Sequence, residues 1–216
     1  PGLQKVRGRK TELWAQLGVL TLLFSVTFSL APFNWFGISP ARLFAGAVAL
    51  VAARRFGAGL VKVVCAPENA LPYTVGDAGL VVSTEPLETA VRDKKISAIA
   101  FGMGFGLNER TKAALETVAK SGKPFVADAD ALAYIKDVTL TNAVLTPHEG
   151  EFARLFPDLK GDKLSRALIA AETLGCVVAL KGADTVIAAP DGRAAIDANT
   201  SFYLATAGSG DVLSGI

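Results

Sequence analysis

The sequence predicts an α/β protein with one mostly parallel β-sheet that ends in a β-hairpin. Short apolar runs typical of buried strands alternate with longer segments of helical periodicity, which is the pattern of a parallel sheet with crossover helices. The last two predicted strands flank Asp191-Gly192, and an Asp-Gly pair between strands is a strong hairpin signal. Glycine or polar clusters follow four of the strands, where open α/β sheets bind ligands.

The composition narrows the class of protein further. The chain has 216 residues, of which 51% are hydrophobic and 19% charged, so it can bury the core of one domain. A formal net charge of +2 provides no electrostatic surface for nucleic acid, and we expect no such partner. A single histidine excludes a multi-histidine metal site. Cys65 and Cys176 lie in apolar runs and are expected to be buried thiols.

Residues 1–40 do not follow the alternating pattern and form an atypical N-terminal segment. A basic start is followed by residues 13–41, which contain no charge and include an apolar run at 17–31. Such a run resembles a signal sequence or membrane anchor, but it is shorter than the roughly 20 residues that a span needs, and Pro32 interrupts it. Three interpretations stay open: a buried strand and turn, a membrane segment, or sequence that is not native here.

The predicted strands are apolar runs rich in β-branched residues and bounded by glycine, proline or charged residues. They are residues 60–66, 79–83, 96–101, 125–127, 143–145 and 176–180, followed by the hairpin strands 186–190 and 193–196.

The predicted helices have start and stop signals in the sequence. Asn108 is expected to cap a helix over 109–120, and Gly175 to end a helix over 161–174. Small residues at close spacing predict a helix over 41–57. Shorter helices are predicted over 85–92, over 131–135 and from residue 151.

Four of the strands run directly into clusters that could bind a ligand, at residues 102–106, 128–130, 146–151 and 181–185. Because the carboxyl ends of parallel strands lie along one edge of a sheet, we expect the four clusters to converge. The first does not match the dinucleotide-binding glycine spacing, and the last is not a P-loop. A lysine and a threonine around a glycine can still hold phosphate or ribose oxygens.

Two of these clusters leave alternatives open. Asp128 and Asp130 are candidates for magnesium or substrate contact, or they form a capped turn before a helix. His148, the one histidine, is either a structural residue or a contact to the substrate.

Close to the end of the chain, a turn of small residues runs into a predicted helix that starts at Gly210 or Asp211. The N–H groups of Gly208, Ser209 and Gly210 can converge on an anion, and the helix N-terminus adds partial positive charge. A carboxylate beside a bound anion suits a general base, which predicts catalysis by Asp211. The alternative is a helix-capping aspartate.

Together these motifs resemble the ADP-dependent NAD(P)H-hydrate dehydratases of bacteria, in the ribokinase-like superfamily. The resemblance covers about residues 41–216 in unbroken order. It is carried by Asp128-Ala129-Asp130-Ala131-Leu132, Thr146-Pro147-His148-Glu149-Gly150-Glu151-Phe152, Leu180-Lys181-Gly182-Ala183-Asp184-Thr185 and Ala205-Thr206-Ala207-Gly208-Ser209-Gly210-Asp211. It implies a three-layer sandwich, with helices on both faces of the mostly parallel sheet.

The resemblance implies a lyase that repairs hydrated nicotinamide nucleotides, NADHX and NADPHX. ADP phosphorylates the hydroxyl of the hydrated ring, with magnesium bridging the phosphates, and AMP is released. Phosphate then leaves the ring to give NADH or NADPH. No metal ligand is assigned. The resemblance implies that Asp211 is the base and that Gly208, Ser209 and Gly210 stabilise the transferred charge. The residues that it implies for substrate binding are Gly104, Gly106, His148 and Asp211. Those that it implies for nucleotide binding are Lys181, Gly182, Ala183, Asp184, Thr185 and Gly210.

The same resemblance implies a cytoplasmic homo-oligomer without a membrane partner, accompanied by a fused or separate NAD(P)H-hydrate epimerase. Two other functions stay open. One is a kinase of the same superfamily acting on a vitamin alcohol such as hydroxyethylthiazole or pyridoxine. The other is a non-catalytic nucleotide-binding or membrane-anchored fragment.

The chain departs from the family pattern in three places. Residues 19–39 lack the expected basic and glycine-rich character, although Glu12-Leu13-Trp14 before them is similar to the family, which suggests a reading-frame error in the source DNA. Met103 replaces a usual proline, with little expected effect. The sequence stops one helical turn after Asp211, so we expect a C-terminally truncated domain with little or no activity as written.

Overall fold

The computed structural model describes residues 60–71, 74, 80–198 and 213–214. Contacts divide the chain into Pro1–Phe44 and Ala45–Ile216, and every described residue lies in the second unit. The atypical segment 1–40, the helix predicted over 41–57 and the glycine turn with Asp211 lie outside the described residues.

The described strands form two sheets. Strands β1 (Val61–Val64) and β2 (Leu80–Ser83) pair in parallel as a two-stranded sheet. The other six strands lie side by side in chain order. They are β3 (Ile99–Phe101), β4 (Phe125–Ala127), β5 (Ala143–Leu145), β6 (Val177–Leu180), β7 (Thr185–Ala188) and β8 (Ala194–Asp197).

In the six-stranded sheet, β3 to β6 are parallel, whereas β6 to β8 are antiparallel neighbours. The hairpin between β7 and β8 turns at Asp191-Gly192, where Gly192 has a φ of +86°. The predicted mostly parallel sheet with a final hairpin is therefore confirmed.

The described helices connect these strands. They are α1 (Leu87–Ala90), α2 (Glu109–Lys120), α3 (Glu149–Leu155) and α4 (Lys163–Leu174), with 3-10 helices at Pro67–Asn69 and Ala129–Asp137. The parallel strands follow one another in chain order, and crossovers between parallel strands are right-handed in nearly all proteins. The connections between β3 and β6 therefore share one face of the sheet.

Two helix signals were predicted correctly. The side chain of Asn108 accepts a hydrogen bond from the Thr111 N–H at 3.1 Å and caps α2. Gly175 ends α4 with a left-handed φ of +67°.

Several predicted helices differ in the structure in their bounds or type, and capping side chains account for two of these differences. The helix predicted over 85–92 is the shorter α1, Leu87–Ala90. Helix α3 begins at Glu149 rather than 151, since His148 caps it, and α4 begins at Lys163 rather than 161, since Asp162 caps it. The segment predicted as a helix over 131–135 is the 3-10 helix Ala129–Asp137.

The core lies between the helix-bearing face of the sheet and its connections. Alternate strand residues such as Phe125, Leu145 and Leu180 are fully buried there, together with Leu115 of α2 and Phe152 of α3. The strands have apolar residues at every second position and the helices have one apolar face. The apolar faces of the strands and helices pack against each other because this removes the most apolar surface from water.

The two cysteines are both free thiols and differ in burial. Cys176 is buried, and this burial raises the pKa of its thiol to about 11. Cys65 is half-buried, and burial raises the pKa of its thiol as well. The prediction of buried thiols is therefore right for Cys176 and too strong for Cys65.

Candidate functional site

The four predicted clusters meet at the carboxyl ends of β3 to β6. Gly106 of the first cluster donates its N–H to Asp130 of the second at 2.6 Å. Asp128 of the second pairs with Lys181 of the fourth at 2.7 Å. The Lys181 N–H donates to the Pro147 carbonyl at 2.8 Å, and His148 and Lys181 form a parallel bridge. The expected convergence is present in the structure.

The glycine turn 102–106 is shaped by its neighbours. Gly102 has a φ of +117°, and a Cβ there would overlap the carbonyl oxygen of Asp128, so only glycine fits. Gly104 and Gly106 also have positive φ, at +74° and +83°. The Gly106 carbonyl accepts the Thr111 hydroxyl at 2.5 Å. Strand β3, the 3-10 helix and α2 therefore hold this turn between them.

Both aspartates of the second cluster have protein partners. Asp130 accepts the N–H of Gly106, and its role in the structure is to hold the glycine turn. Asp128 is almost fully buried and accepts from the Lys181 ammonium and from the Ser214 hydroxyl, the latter at 3.1 Å. Within the described ranges, no group of three or more histidine, cysteine, aspartate or glutamate side chains is placed to hold a metal ion.

His148 acts as the N-cap of α3. Its Nδ1 accepts the N–H groups of Gly150 at 2.9 Å and Glu151 at 3.3 Å, while Glu151 accepts the His148 N–H at 2.8 Å. These bonds form a reciprocal capping box in which histidine replaces the usual serine or threonine. The structure thus gives His148 a structural role, and its side chain, 55% exposed, still has a surface open to a ligand.

The fourth cluster is held by α4. Lys163 donates to the Asp184 carboxylate at 3.1 Å and to the Asp184 backbone carbonyl. The hydrogen bond from Lys163 holds the pKa of the Asp184 carboxyl below its ordinary value. Arg166, one turn further along α4, forms a two-pronged ion pair with Glu149 at 2.9 and 3.1 Å. Thr185 belongs to β7 rather than to the loop.

Sequence reasoning missed Lys163 and Ser214 as parts of this edge, whereas Thr146 belongs to the predicted third cluster. Ser214 is 4% exposed, and its hydroxyl lies 3.1 Å from Asp128 Oδ2 and 3.4 Å from Thr146 Oγ1. One signal was present, because Ser214 lies about one helical turn after the predicted base Asp211. Lys163 has no local signal, since its contact with Asp184 spans 21 residues.

The predicted catalytic residues Gly208, Ser209, Gly210 and Asp211 lie outside the described residues, and their roles stay predictions. Gly104, Gly106, His148 and Lys181 lie at the edge where the clusters meet. A pocket of about 310 Å³ elsewhere is lined by Lys136 and residues 156–159 and contains none of the predicted site residues. Among the helices that the structure describes, none is long and apolar enough to span a membrane.

Solved structures place this architecture in a known class. A Bacillus subtilis ADP/ATP-dependent NAD(P)H-hydrate dehydratase, co-crystallised with ATP/Mg²⁺ and soaked with CoA, superimposes with a TM-score of 0.71 at 28% identity, over 80% of this chain and 67% of its own. A ribokinase-like superfamily protein from Enterococcus faecalis matches in fold with a TM-score of 0.69 at 24% identity, over 83% of this chain and 65% of its own. The protein is a ribokinase-like α/β protein, as predicted.

Sequence comparison narrows this class to a family. The NAD(P)H-hydrate dehydratase profile matches residues 41–216, and the chain belongs to that family. The bifunctional NAD(P)H-hydrate repair enzyme Nnr of Escherichia coli K12 is 40% identical over 188 residues, which are 80% of this chain and 35% of the relative. The chain therefore spans about a third of the length of this curated relative.

Proposed function

We propose that this chain is an ADP-dependent NAD(P)H-hydrate dehydratase that returns NADHX and NADPHX to NADH and NADPH. The observation that carries the proposal is the meeting of the family's motifs at one edge of the sheet, with Lys181 contacting both the second and the third cluster. Family membership supports the same activity.

The proposed reaction has two steps. The hydroxyl oxygen of the hydrated ring loses its proton to a base and bonds to the terminal phosphorus of ADP, while the bond to AMP breaks. Phosphate then leaves the ring together with a ring proton, which restores the double bond. The protein must position the two substrates and stabilise the charge on the transferred group, because phosphoryl transfer is catalysed mainly in these ways.

Lys181 is proposed to hold the nucleotide phosphates. Its ammonium has three donors, and within the described part of the chain Asp128 is the one acceptor that Lys181 Nζ reaches. The side chain is 19% exposed, which supports access of phosphate oxygens to the remaining donors. Ala183 and Gly182 keep the loop beside it small, while Lys163 fixes Asp184 and with it the path of the loop.

Asp211 is proposed as the base, with Gly208, Ser209 and Gly210 stabilising the transferred phosphoryl group. Connectivity supports this placement, because three peptide units span at most about 11 Å and Asp211 precedes Ser214 by three residues. Ser214 contacts Asp128 at the edge where the clusters meet.

Magnesium is proposed as the cofactor. The Bacillus subtilis dehydratase co-crystallised with ATP/Mg²⁺ supports this, and magnesium is commonly held through nucleotide phosphates and water. When bound, the ion would neutralise phosphate charge. Lys181 and the backbone N–H groups of residues 208–210 would contribute the protein's share of that neutralisation.

The partners are proposed from the same family resemblance. The Escherichia coli relative is bifunctional, which supports an epimerase activity acting beside this domain. Homo-oligomerisation and a cytoplasmic location also belong to the proposal.

The test is an assay with hydrated NADH as substrate and ADP or ATP as the phosphoryl donor, following the absorbance of reduced nicotinamide. We would assay the chain itself and the protein that the genomic DNA around it encodes. Turnover that disappears in Asp211→Asn is expected for the genomic form. The alternative kinase would instead phosphorylate hydroxyethylthiazole or pyridoxine and leave hydrated NADH unchanged, and that result would overturn the proposal.

A further inference from the structure

The inference concerns Asp128 and deepens the proposed function, on which it rests. The Asp128 side chain is 3% exposed, although it carries a charge. A buried carboxylate is costly unless it is paired and hydrogen-bonded. One of its oxygens accepts from the Lys181 ammonium at 2.7 Å, and the other accepts from the Ser214 hydroxyl at 3.1 Å.

The hydrogen bonds around Asp128 have a defined direction. A carboxylate can only accept, so the Ser214 hydroxyl donates to it. Thr146 Oγ1, which is buried at the end of β5, lies 3.4 Å from Ser214 Oγ and is placed to donate to it. Asp128 therefore links the ends of β4, β5 and β6 to the residues that follow Asp211.

We propose that Asp128 is a positioning residue for the reaction. Through its first oxygen it aims the Lys181 ammonium at the nucleotide phosphates. Through its second oxygen and Ser214 it fixes the distance between the nucleotide loop and the segment that bears the predicted base. Asp128 itself contacts neither substrate.

A purely structural ion pair would stabilise the fold without this effect, and a double-mutant cycle distinguishes the two roles. The Kd of ADP and of ATP is measured by calorimetry for the full chain, for Asp128→Asn, for Lys181→Met and for the double variant. We expect Asp128→Asn to weaken binding about tenfold when Lys181 is present and less than twofold when it is methionine. Equal weakening in both backgrounds, or none in either, would overturn the proposal.

A matched control is Asp137→Asn, which removes a surface ion pair with Lys112 at 2.8 Å. It should bind nucleotide as the parent chain does. Since Asp128→Asn leaves the partly buried Lys181 ammonium without its counter-charge, thermal melts accompany every variant. Asp128→Glu, which keeps the charge but displaces the carboxylate by one methylene, provides the second variant. Its nucleotide Kd should rise at least threefold, and an unchanged Kd would contradict positioning.

Ser214→Ala tests the second link. It keeps the Asp128–Lys181 pair and removes the Ser214 hydroxyl with its hydrogen bonds to Asp128 and Thr146, so kcat for hydrated NADH should fall about fivefold while the nucleotide Kd stays within twofold. A Kd that rises as much as kcat falls, or no change in either, would refute this link. If the genomic form of the protein binds ADP but does not turn over hydrated NADH, the proposed function fails, and the binding cycle still decides the role of Asp128.

Discussion

At the scale of single residues, the site edge depends on positions that allow little substitution. Gly102 is the clearest case, since its φ of +117° is unfavourable for other residues and the Asp128 carbonyl occupies the space of a Cβ. Gly122 also has a positive φ, at +72°, but nothing lies within 4 Å of its missing Cβ. A side chain at Gly102 would therefore meet both backbone strain and steric overlap, whereas one at Gly122 would meet backbone strain alone.

Gly102→Ala is expected to destabilise the protein by about 3 kcal/mol or more, because strain and overlap add and overpacking alone costs about 1–3 kcal/mol. Gly122→Ala should cost about 1 kcal/mol from strain alone. Urea unfolding of both variants provides the measurement. Equal losses would show that the contact with Asp128 is easily relieved.

The two thiols provide a second test at this scale. Burial raises the pKa of Cys176 to about 11, so at pH 8 about one thiol in a thousand is ionised, and access is blocked as well. We expect iodoacetamide to label the half-buried Cys65 first and Cys176 only after unfolding, with mass spectrometry of the peptides as readout. Similar labelling rates for both in the native protein would contradict this.

At the scale of elements, capping side chains set where the helices begin. Asp162 accepts the Ser165 N–H at 2.9 Å at the start of α4, and this hydrogen bond lowers the pKa of its carboxyl from the ordinary value of 3.8. A depressed folded-state pKa stabilises the protein above the unfolded-state pKa, and this contribution is lost as the pH falls through the folded-state pKa. Acid should therefore weaken the start of α4.

Asp162→Asn tests that expectation, because asparagine also caps helices but does not titrate. The parent chain should be the more stable of the two at pH 6, and its advantage should shrink as the pH falls below about 4. Denaturant unfolding of both proteins between pH 6 and pH 3 gives the comparison. A stability difference that does not vary with pH would show that the charge on Asp162 contributes nothing.

At the scale of the whole molecule, the six-stranded sheet has one strongly buried face. Leu145 at its centre is fully buried, whereas Ile187 on β7 is 45% exposed. The free energy of unfolding should depend on side chains of the buried face, such as Leu145, far more than on exposed apolar side chains such as Ile187. The reason is that truncation of a side chain in a packed core leaves a cavity.

Leu145→Ala is expected to cost about 2–5 kcal/mol of unfolding free energy, and Ile187→Ala about 1 kcal/mol or less. Thermal and urea unfolding of the two variants can be compared directly, since each removes an apolar side chain of similar size. A comparable loss for Ile187→Ala would mean that this residue is covered in solution.

The sequence predicted the elements that depend on neighbouring residues. Helix α2 begins and ends as expected because Asn108 caps it and its apolar spacing is helical, and the Asp191-Gly192 turn specified the hairpin. It also predicted the meeting of the loops, because strand direction alone determines which strand ends share an edge.

The misses arise from contacts between residues that are far apart in the sequence. The pairing of Asp128 with Ser214 spans 86 residues, and no local pattern could indicate it. The histidine cap of α3 was missed for another reason, since histidine is not among the usual capping residues. The separate pairing of β1 with β2 also depends on topology rather than on local propensity.

The chain-order arrangement of β3 to β8 has a consequence for how this protein is made. When each strand after β3 leaves the ribosome, the strand with which it pairs has already been synthesised, because that partner is the preceding strand in the chain. Since no strand from β4 to β8 needs a later segment of the chain as its partner on the growing side, the entropic cost of loop closure is small. The nascent sheet can grow by adding strands at one edge. Ser214, translated last among the described residues, then joins the completed edge at Asp128.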